Sequence, residues 1–305
     1  VDVLIVGGGI TGLSTALMLQ KAGKECLVIE SHTIGFGTTG GTTAHLNTFL
    51  DTTYDQIEKD FGEKNAQLVF HAASDAIEAI KRNIDAYNIE CGFSYKEGYV
   101  FSQNNDQSDA LDKIVKACRK AGMEINYTND IPLPIPFEKA AVFTRQAQFH
   151  PTKYLYGIAE AYENAGGLIV QYCRAESFES NGLTEVKTNL GIIRARKLVF
   201  ATHIPPGINL LHFRCAPYRS YVLAAKLNDD NYPDALAYDM YDPYRYYRTQ
   251  EVDGEKYLVV GGEDHKTGHN ENTEFCFSKL DSYVSKYYDI EDISYKWSSE
   301  FFEPA

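Results

Sequence analysis

The chain has 305 residues, 44% hydrophobic and 23% charged, which suits one large globular domain or two medium ones. A formal net charge of −13 argues against nucleic acid or an anionic membrane as partner, because both call for a basic face. No apolar run reaches about eighteen residues, so no membrane-spanning helix is expected.

The chain opens on a strand–turn–helix–strand unit. Residues 2–6, DVLIV, read as a buried parallel strand. The strand runs into Gly7, Gly9 and Gly12, a G-x-G-x-x-G. A helix follows, with Leu13, Ala16, Leu17 and Gln20 at i, i+3, i+4 and i+7; all but the last are apolar and face a sheet. Gly23 stands where a helix end favours a left-handed residue. Residues 26–29 form a second buried strand, ending in Glu30. Gly7 permits the tight turn, Gly9 lets the backbone approach a pyrophosphate, and Gly12 lets the helix pack closely on the strand. The helix N-terminus offers N–H groups and a positive dipole end to phosphates. Glu30 lies at the distance where an acid meets ribose hydroxyls. The unit predicts a dinucleotide site with Gly7, Gly9, Thr11, Gly12, Glu30 and Ser31 as contacts.

The next stretch bears on which dinucleotide. Residues 35–45, GFGTTGGTTAH, are crowded with glycine and threonine. A plain NAD-binding domain continues instead into an ordinary helix and a third strand. Such a loop wraps a second face of a cofactor with N–H groups and hydroxyls, and Gly37, Thr38, Thr39, Thr42, Thr43 and Ala44 are its candidate contacts. With these residues the sequence resembles FAD-dependent oxidoreductases of the D-amino-acid oxidase type. The resemblance implies that the glycine turn holds the ADP half of FAD and that the loop reaches the ribityl chain and flavin ring. Some relatives attach FAD through a histidine in this loop. The matching position is Gly41, so non-covalent FAD is implied, and His45 is a poor substitute.

Residues 53–61 and 63–87 read as scaffold helices broken at Gly62, the second with Ile77, Ile80, Ile84 and Tyr87 on one face. Residues 93–102 alternate like strands punctuated by Gly98, and 108–122 read as a helix. IPLPIP at 131–136 reads as an extended connector. Pro151 opens a helix whose core face is Leu155, Ile158, Ala159 and Tyr162, with His150 as its cap or a packing residue. A strand at 168–172, a hairpin at 184–188 and 191–195, and a buried strand at 197–202 follow. From Arg214 the strands are rich in tyrosine: 218–225, 244–249 and 257–260, the last two joined by an Asp253-Gly254 turn. In GGEDHKTG at 261–268, Glu263 and Asp264 read as turn acids. A helix at 275–288 and a strand at 293–302 end the chain.

The expected fold is α/β: a Rossmann-like FAD-binding domain with a discontinuous α+β substrate domain built on a mainly antiparallel sheet. Residues 1–92, 145–213 and 297–305 are assigned to the first, its C-terminal part missing, and 93–144 and 214–296 to the second. GFGTTGGTTAHLNT, FHPTKYLYGIAEA, RSYVLAAKL and YRYYRT followed by LVVGGEDHKTG are most similar to a bacterial subgroup with a Rieske domain after the flavin region. In the family a strand ends in Ala-Thr-Gly near the pyrophosphate and adenine. Ala201 and Thr202 match it, and His203 stands for the glycine. The same alignment places Ala175 at the adenine edge through its backbone. No C-x-H…C-x-x-H pair is present, so a [2Fe-2S] cluster is expected only if a Rieske domain follows outside this chain. Family members continue past Trp297 with a segment that covers the flavin, and that segment is expected beyond these residues.

A flavin accepts a hydride from a carbon bearing an amine or hydroxyl, and the protein orients the substrate. The expected substrate is a small amine, amino acid or hydroxy acid; the electron acceptor is not legible. Arg248, with Tyr246 on its face of a strand, is a candidate anchor for a substrate carboxylate. Equally, it reads as a cross-strand arginine paired to an acid. His265 either faces the flavin or is a polar turn residue. An NAD(P)-dependent dehydrogenase and a non-catalytic nucleotide-binding or electron-relay module remain open. Six scattered cysteines give no metal-site spacing, and a reducing cytoplasm fits them. No signal peptide is read; the natural start is expected a few residues upstream.

Overall fold

The computed structural model describes residues 1–204, 207, 214–269 and 272–304. Residues 205–206, 208–213, 270–271 and 305, which the expected segments include, lie outside the described residues. β1 (Val3–Val6), α1 (Ile10–Lys21) and β2 (Cys26–Ile29) form the first unit. Leu13, Ala16 and Leu17 are buried against the sheet. Gln20 closes the unit through its amide, which accepts from the Cys26 N–H and donates to the Ala165 carbonyl. The threonine loop makes one turn of helix, α2 (Thr38–Gly41), before β3 (His45–Leu46).

α3 (Tyr54–Phe61) and α4 (Glu63–Tyr87) break at Gly62, whose φ of +87° suits glycine. β4 (Ser94–Ser102) is a single strand, not several broken at Gly98. Gly98 leaves room for the Phe143 ring, which a Cβ there would meet at 2.2 Å. α5 (Asn105–Ala121) starts earlier than expected because the Asn104 side chain caps it, accepting from the Gln107 N–H. β5 (Ile125–Thr128) and β6 (Lys139–Gln148) flank the proline connector, which buries Ile131, Leu133 and Ile135. α6 (Pro151–Asn164) has His150 as its N-cap.

β7 (Leu168–Val170), β8 (Ala175–Asn181), β9 (Leu183–Thr188), β10 (Gly191–Ala195) and β11 (Lys197–Phe200) follow. The last stretch holds β12 (Cys215–Leu227), β13 (Leu236–Asp239), β14 (Tyr246–Val252), β15 (Glu255–Lys266), α7 (Thr273–Val284) and β16 (Ile290–Pro304). β8 and β13 escape a reading by pattern. β8 is mostly exposed and polar, and β13 is four residues long and buried throughout, so neither alternates.

The parallel sheet has the order β11–β1–β2–β7. The neighbour of β2 is thus β7, and the threonine stretch supplies no third strand, unlike the NAD(P) alternative. A small antiparallel sheet runs β10–β9–β8. The large sheet has nine strands, β16–β12–β15–β14–β13–β4–β6–β3 with β5 beside β6, antiparallel except at β13–β4. This is the expected mixed α/β fold with a mainly antiparallel second sheet. β6 crosses residues 144 and 145 through an irregularity at Arg145, φ +61°. Among the described residues no helix is long and apolar enough to cross a membrane.

Candidate functional site

A cleft of about 600 Å³ opens at the carboxyl end of β1. Gly7, Gly9, Thr11, Glu30, Ser31, Gly37, Thr38, Thr39, Ala175, Ala201 and Thr202 all line it. The glycines make it by what they lack. Gly7 has φ +116°, and a Cβ on it would stand 2.4 Å from the Ala201 carbonyl oxygen. Gly12 does not line the cleft; it packs behind, where a Cβ would stand 1.9 Å from the Gly7 carbonyl oxygen. Gly9 starts α1 with no side-chain cap, and the Ile10 N–H donates to Thr39 Oγ1 at 3.1 Å. The threonine loop is thereby tied to the helix end that faces the cleft. These features fit the diphosphate and ribose of a dinucleotide.

Glu30 is held rigidly. Its Oε2 accepts from the Gly8 N–H at 2.8 Å, and its Oε1 from the Ser31 hydroxyl and the His32 N–H at 3.1 and 2.9 Å. Ser31 is thus engaged with Glu30. Glu30→Ala is expected to lower FAD affinity roughly tenfold or more, since a hydrogen bond to a charged group contributes about 1.5–3 kcal/mol. Titration of flavin fluorescence measures it; unchanged affinity would mean that the carboxylate faces away from the ribose. His203 takes φ +68°, the left-handed region that glycine adopts without strain. It lines the same cleft, its Nδ1 3.4 Å from Thr38 Oγ1.

Two further cavities lie on one face of the large sheet and share Thr42 and Thr43 as lining. The smaller, about 340 Å³, is lined by Arg248 with Gln250, Tyr257, Tyr295 and Trp297. The larger, about 540 Å³, is lined by Tyr246, His45, Tyr238, Ser220, Asp51 and Asp264, among others. The Tyr246 ring covers Gly261, where a Cβ would fall 2.0 Å from it, and its hydroxyl lies 2.9 Å from that of Ser220. Arg248 is 3% exposed. Its Nη2 donates to Gln250 Oε1 at 2.7 Å, while Nε and Nη1 have no partner among the described residues. No carboxylate pairs with it among the described residues, so the cross-strand ion-pair reading fails. Burial lowers its pKa to about 10.

His45 was a bystander in the sequence, yet it borders the larger cavity. Its Nδ1 lies 2.9 Å from the Tyr238 hydroxyl, which also accepts from Asn47 Nδ2 at 2.7 Å. Burial, then the Arg248 charge, holds its pKa well below the usual histidine value, so the ring is neutral. Ala44 does not line any of these cavities. It is buried in the core, φ +53°, with its N–H donating to Thr42 Oγ1, which corrects its assignment as a contact.

His265 is the second correction. It lies within β15, not in a turn, and faces away from Arg248. Its ring stacks on Tyr221 and its Nδ1 is 3.9 Å from Cys276 Sγ. The cause is a bulge at Glu263, φ +57°, where the register against β12 slips between Arg219 and Tyr221. One extra residue exchanges the two faces, so Asp264 joins Tyr246 and Ser220 instead.

Burial pushes the Asp264 carboxyl up to about 6. With the folded value above the unfolded one, the protonated acid favours the fold at low pH, and this contribution is lost as pH rises through about 6. Asp264→Asn is therefore expected to gain stability relative to the unaltered protein between pH 4 and 7.5, by up to about 3 kcal/mol. Denaturant melts across that range test this; a pH-independent difference would place the carboxyl in water.

The DAO family, FAD dependent oxidoreductase, matches residues 2–302. A putative Rieske 2Fe-2S iron–sulfur protein, YhfW of Bacillus subtilis, is 32% identical over 98% of this chain and 59% of its own length. Gamma-glutamylputrescine oxidoreductase of Escherichia coli is 28% identical over 66% of this chain and 48% of its own length. The chain thus spans about half to three fifths of these curated relatives. In fold it is similar to glycine oxidase of Geobacillus kaustophilus, TM-score 0.82 at 15% identity, over 99% of this chain and 83% of that one. NikD, an amino acid oxidase of nikkomycin biosynthesis, follows with TM-score 0.77 at 16% identity, over 99% and 82% of the two chains.

Proposed function

Because this chain belongs to the DAO family of FAD-dependent oxidoreductases, we propose that it is the flavin-binding part of an enzyme that oxidises a small amine, amino acid or hydroxy acid carrying a carboxylate. FAD, when bound, supplies the acceptor for the substrate hydride. The chain's own residues bind and orient. The cleft between Gly7, Glu30 and the threonine loop takes the ADP half, non-covalently, with Ala175, Ala201 and Thr202 along its edge. Thr42 and Thr43 lie between this cleft and the substrate cavities. Arg248 holds the substrate carboxylate, and Tyr246 forms the wall beside it. In the expected division, residues 1–92, 145–213 and 297–305 serve the cofactor, and residues 93–144 and 214–296 serve the substrate. A Rieske cluster belongs to this proposal only if the complete protein carries its ligands outside these residues.

The single observation that supports this reading is the guanidinium of Arg248, buried with no counter-ion and with Nε and Nη1 unpartnered among the described residues. A buried cation without a counter-ion is costly, and a site that must capture an anion explains why it is kept. The test is a yellow, flavin-containing preparation challenged with amino and hydroxy acids in the absence of oxygen. Flavin bleaching by compounds with a carboxylate, and not by their amide or ester counterparts, is expected. Equal bleaching by both classes would overturn the carboxylate assignment.

A further inference from the structure

The two cavities that share Thr42 and Thr43 differ in charge. Among the described residues, the lining of the smaller one includes Arg248 and no acid. The lining of the larger one includes three aspartates, Asp51, Asp239 and Asp264, and no lysine or arginine. Two of the three are engaged: Asp239 pairs with Arg245 Nη1 at 3.3 Å, and Asp51 Oδ1 accepts from the Tyr244 hydroxyl at 2.8 Å. Asp264 is held but not satisfied. The bulge in β15 sets it across from Ser220, whose hydroxyl bonds its carboxyl. The Tyr246 hydroxyl in turn lies 2.9 Å from Ser220 Oγ, so a Tyr246–Ser220–Asp264 chain fixes the carboxyl in place. Its Oδ1 is nevertheless buried without a partner among the described residues. Buried carboxylate oxygens are rarely left so, and an orphan at a cavity wall points to a donor that arrives with a ligand. Four tyrosines, Tyr238, Tyr241, Tyr244 and Tyr246, line the same cavity, and aromatic faces attract cations. Burial pushes the Asp264 carboxyl up, a cost that a bound cation offsets.

Resting on the reading above for the place of the substrate, we infer that Asp264 binds the substrate's ammonium group in the larger cavity, through Oδ1, and that the substrate is therefore an amine or amino acid and not a hydroxy acid. An ammonium brings donors, no acceptor and a positive charge. A hydroxyl brings one donor and no charge, and a charge-assisted hydrogen bond is about twice as strong as a neutral one. Asp264 is thus the residue that separates two substrate classes which the flavin itself accepts alike.

The test uses tert-butylammonium and its neutral counterpart tert-butanol. Neither has a hydrogen on the carbon that bears the nitrogen or oxygen, so neither loses a hydride. Both are titrated into the FAD-loaded protein at about pH 8, where the amine is protonated and the carboxyl ionised, and followed by ligand-observed NMR. The ammonium is expected to bind about tenfold or more tighter than the alcohol. Asp264→Asn keeps the shape of the side chain and is expected to lose that preference by weakening the ammonium alone. Equal binding of the two probes by the unaltered protein, or a preference that survives in Asp264→Asn, overturns the assignment. Turnover separates it from the reading beneath. Flavin bleaching by amino acids and not by the matching hydroxy acids is expected. Bleaching by hydroxy acids and not by amino acids sinks the ammonium site alone, whereas bleaching by neither sinks the oxidase reading and this assignment with it.

Discussion

Gly12→Ala is expected to abolish FAD binding and to destabilise the fold by about 3 kcal/mol, the upper end for overpacking. The new methyl would stand 1.9 Å from the Gly7 carbonyl oxygen, a backbone atom that no rotamer change can move aside. Relief requires α1 to slide away from β1. That movement takes the helix N-terminus off the cleft and breaks the Ile10 N–H bond to Thr39. Gly37→Ala is the control. No atom lies within 4 Å of its would-be Cβ, so it should melt like the unaltered protein although it lines the same cleft. Denaturant melts, with flavin released on unfolding measured by absorbance, report both effects. A Gly12→Ala protein that keeps stoichiometric FAD and normal stability would show that the helix does not seat as described.

Arg248→Met is expected to act in opposite directions on stability and on substrate. The side chain is nearly fully buried and has no acidic partner among the described residues, so the folded state carries the desolvation cost of the cation. Methionine fills similar space without charge, and a gain of about 1–3 kcal/mol is expected, less the lost bond to Gln250 Oε1. Binding of the carboxylate substrate should fall about a hundredfold, as for removal of one side of a buried charged pair, worth about 3 kcal/mol. Arg248→Lys keeps a charge but loses the fork, so substrate binding should weaken less. The flavin spectrum should remain intact in both. A destabilised Arg248→Met that still turns over the substrate would make the arginine a structural element, and the anion site would have to be sought elsewhere.

The local parts of the chain were legible without coordinates. The glycine turn, α1, β2 and Glu30 form one unit whose contacts lie within about thirty residues, and periodicity and glycine spacing report such units directly. The Asp253-Gly254 hairpin was legible too, because two positive φ values demand those residue types. The shared face of Tyr246 and Arg248 followed from strand alternation alone.

What the tertiary structure alone decided is which residues meet across long separations. Whether Arg248 has a counter-ion depends on side chains from distant strands, and no local pattern records that none arrives among the described residues. His45 became part of the site because β3 sits where the Tyr238 hydroxyl, nearly two hundred residues away, reaches its ring. Asp264 and His265 exchanged places because a bulge slipped the pairing of β15 against β12, and a bulge is set by the partner strand as much as by its own residues. Sequence determined the cofactor unit through short-range backbone geometry. The proposed substrate site was left to the packing of strands remote in the chain, where one residue of register turns a side chain from the cavity to the core.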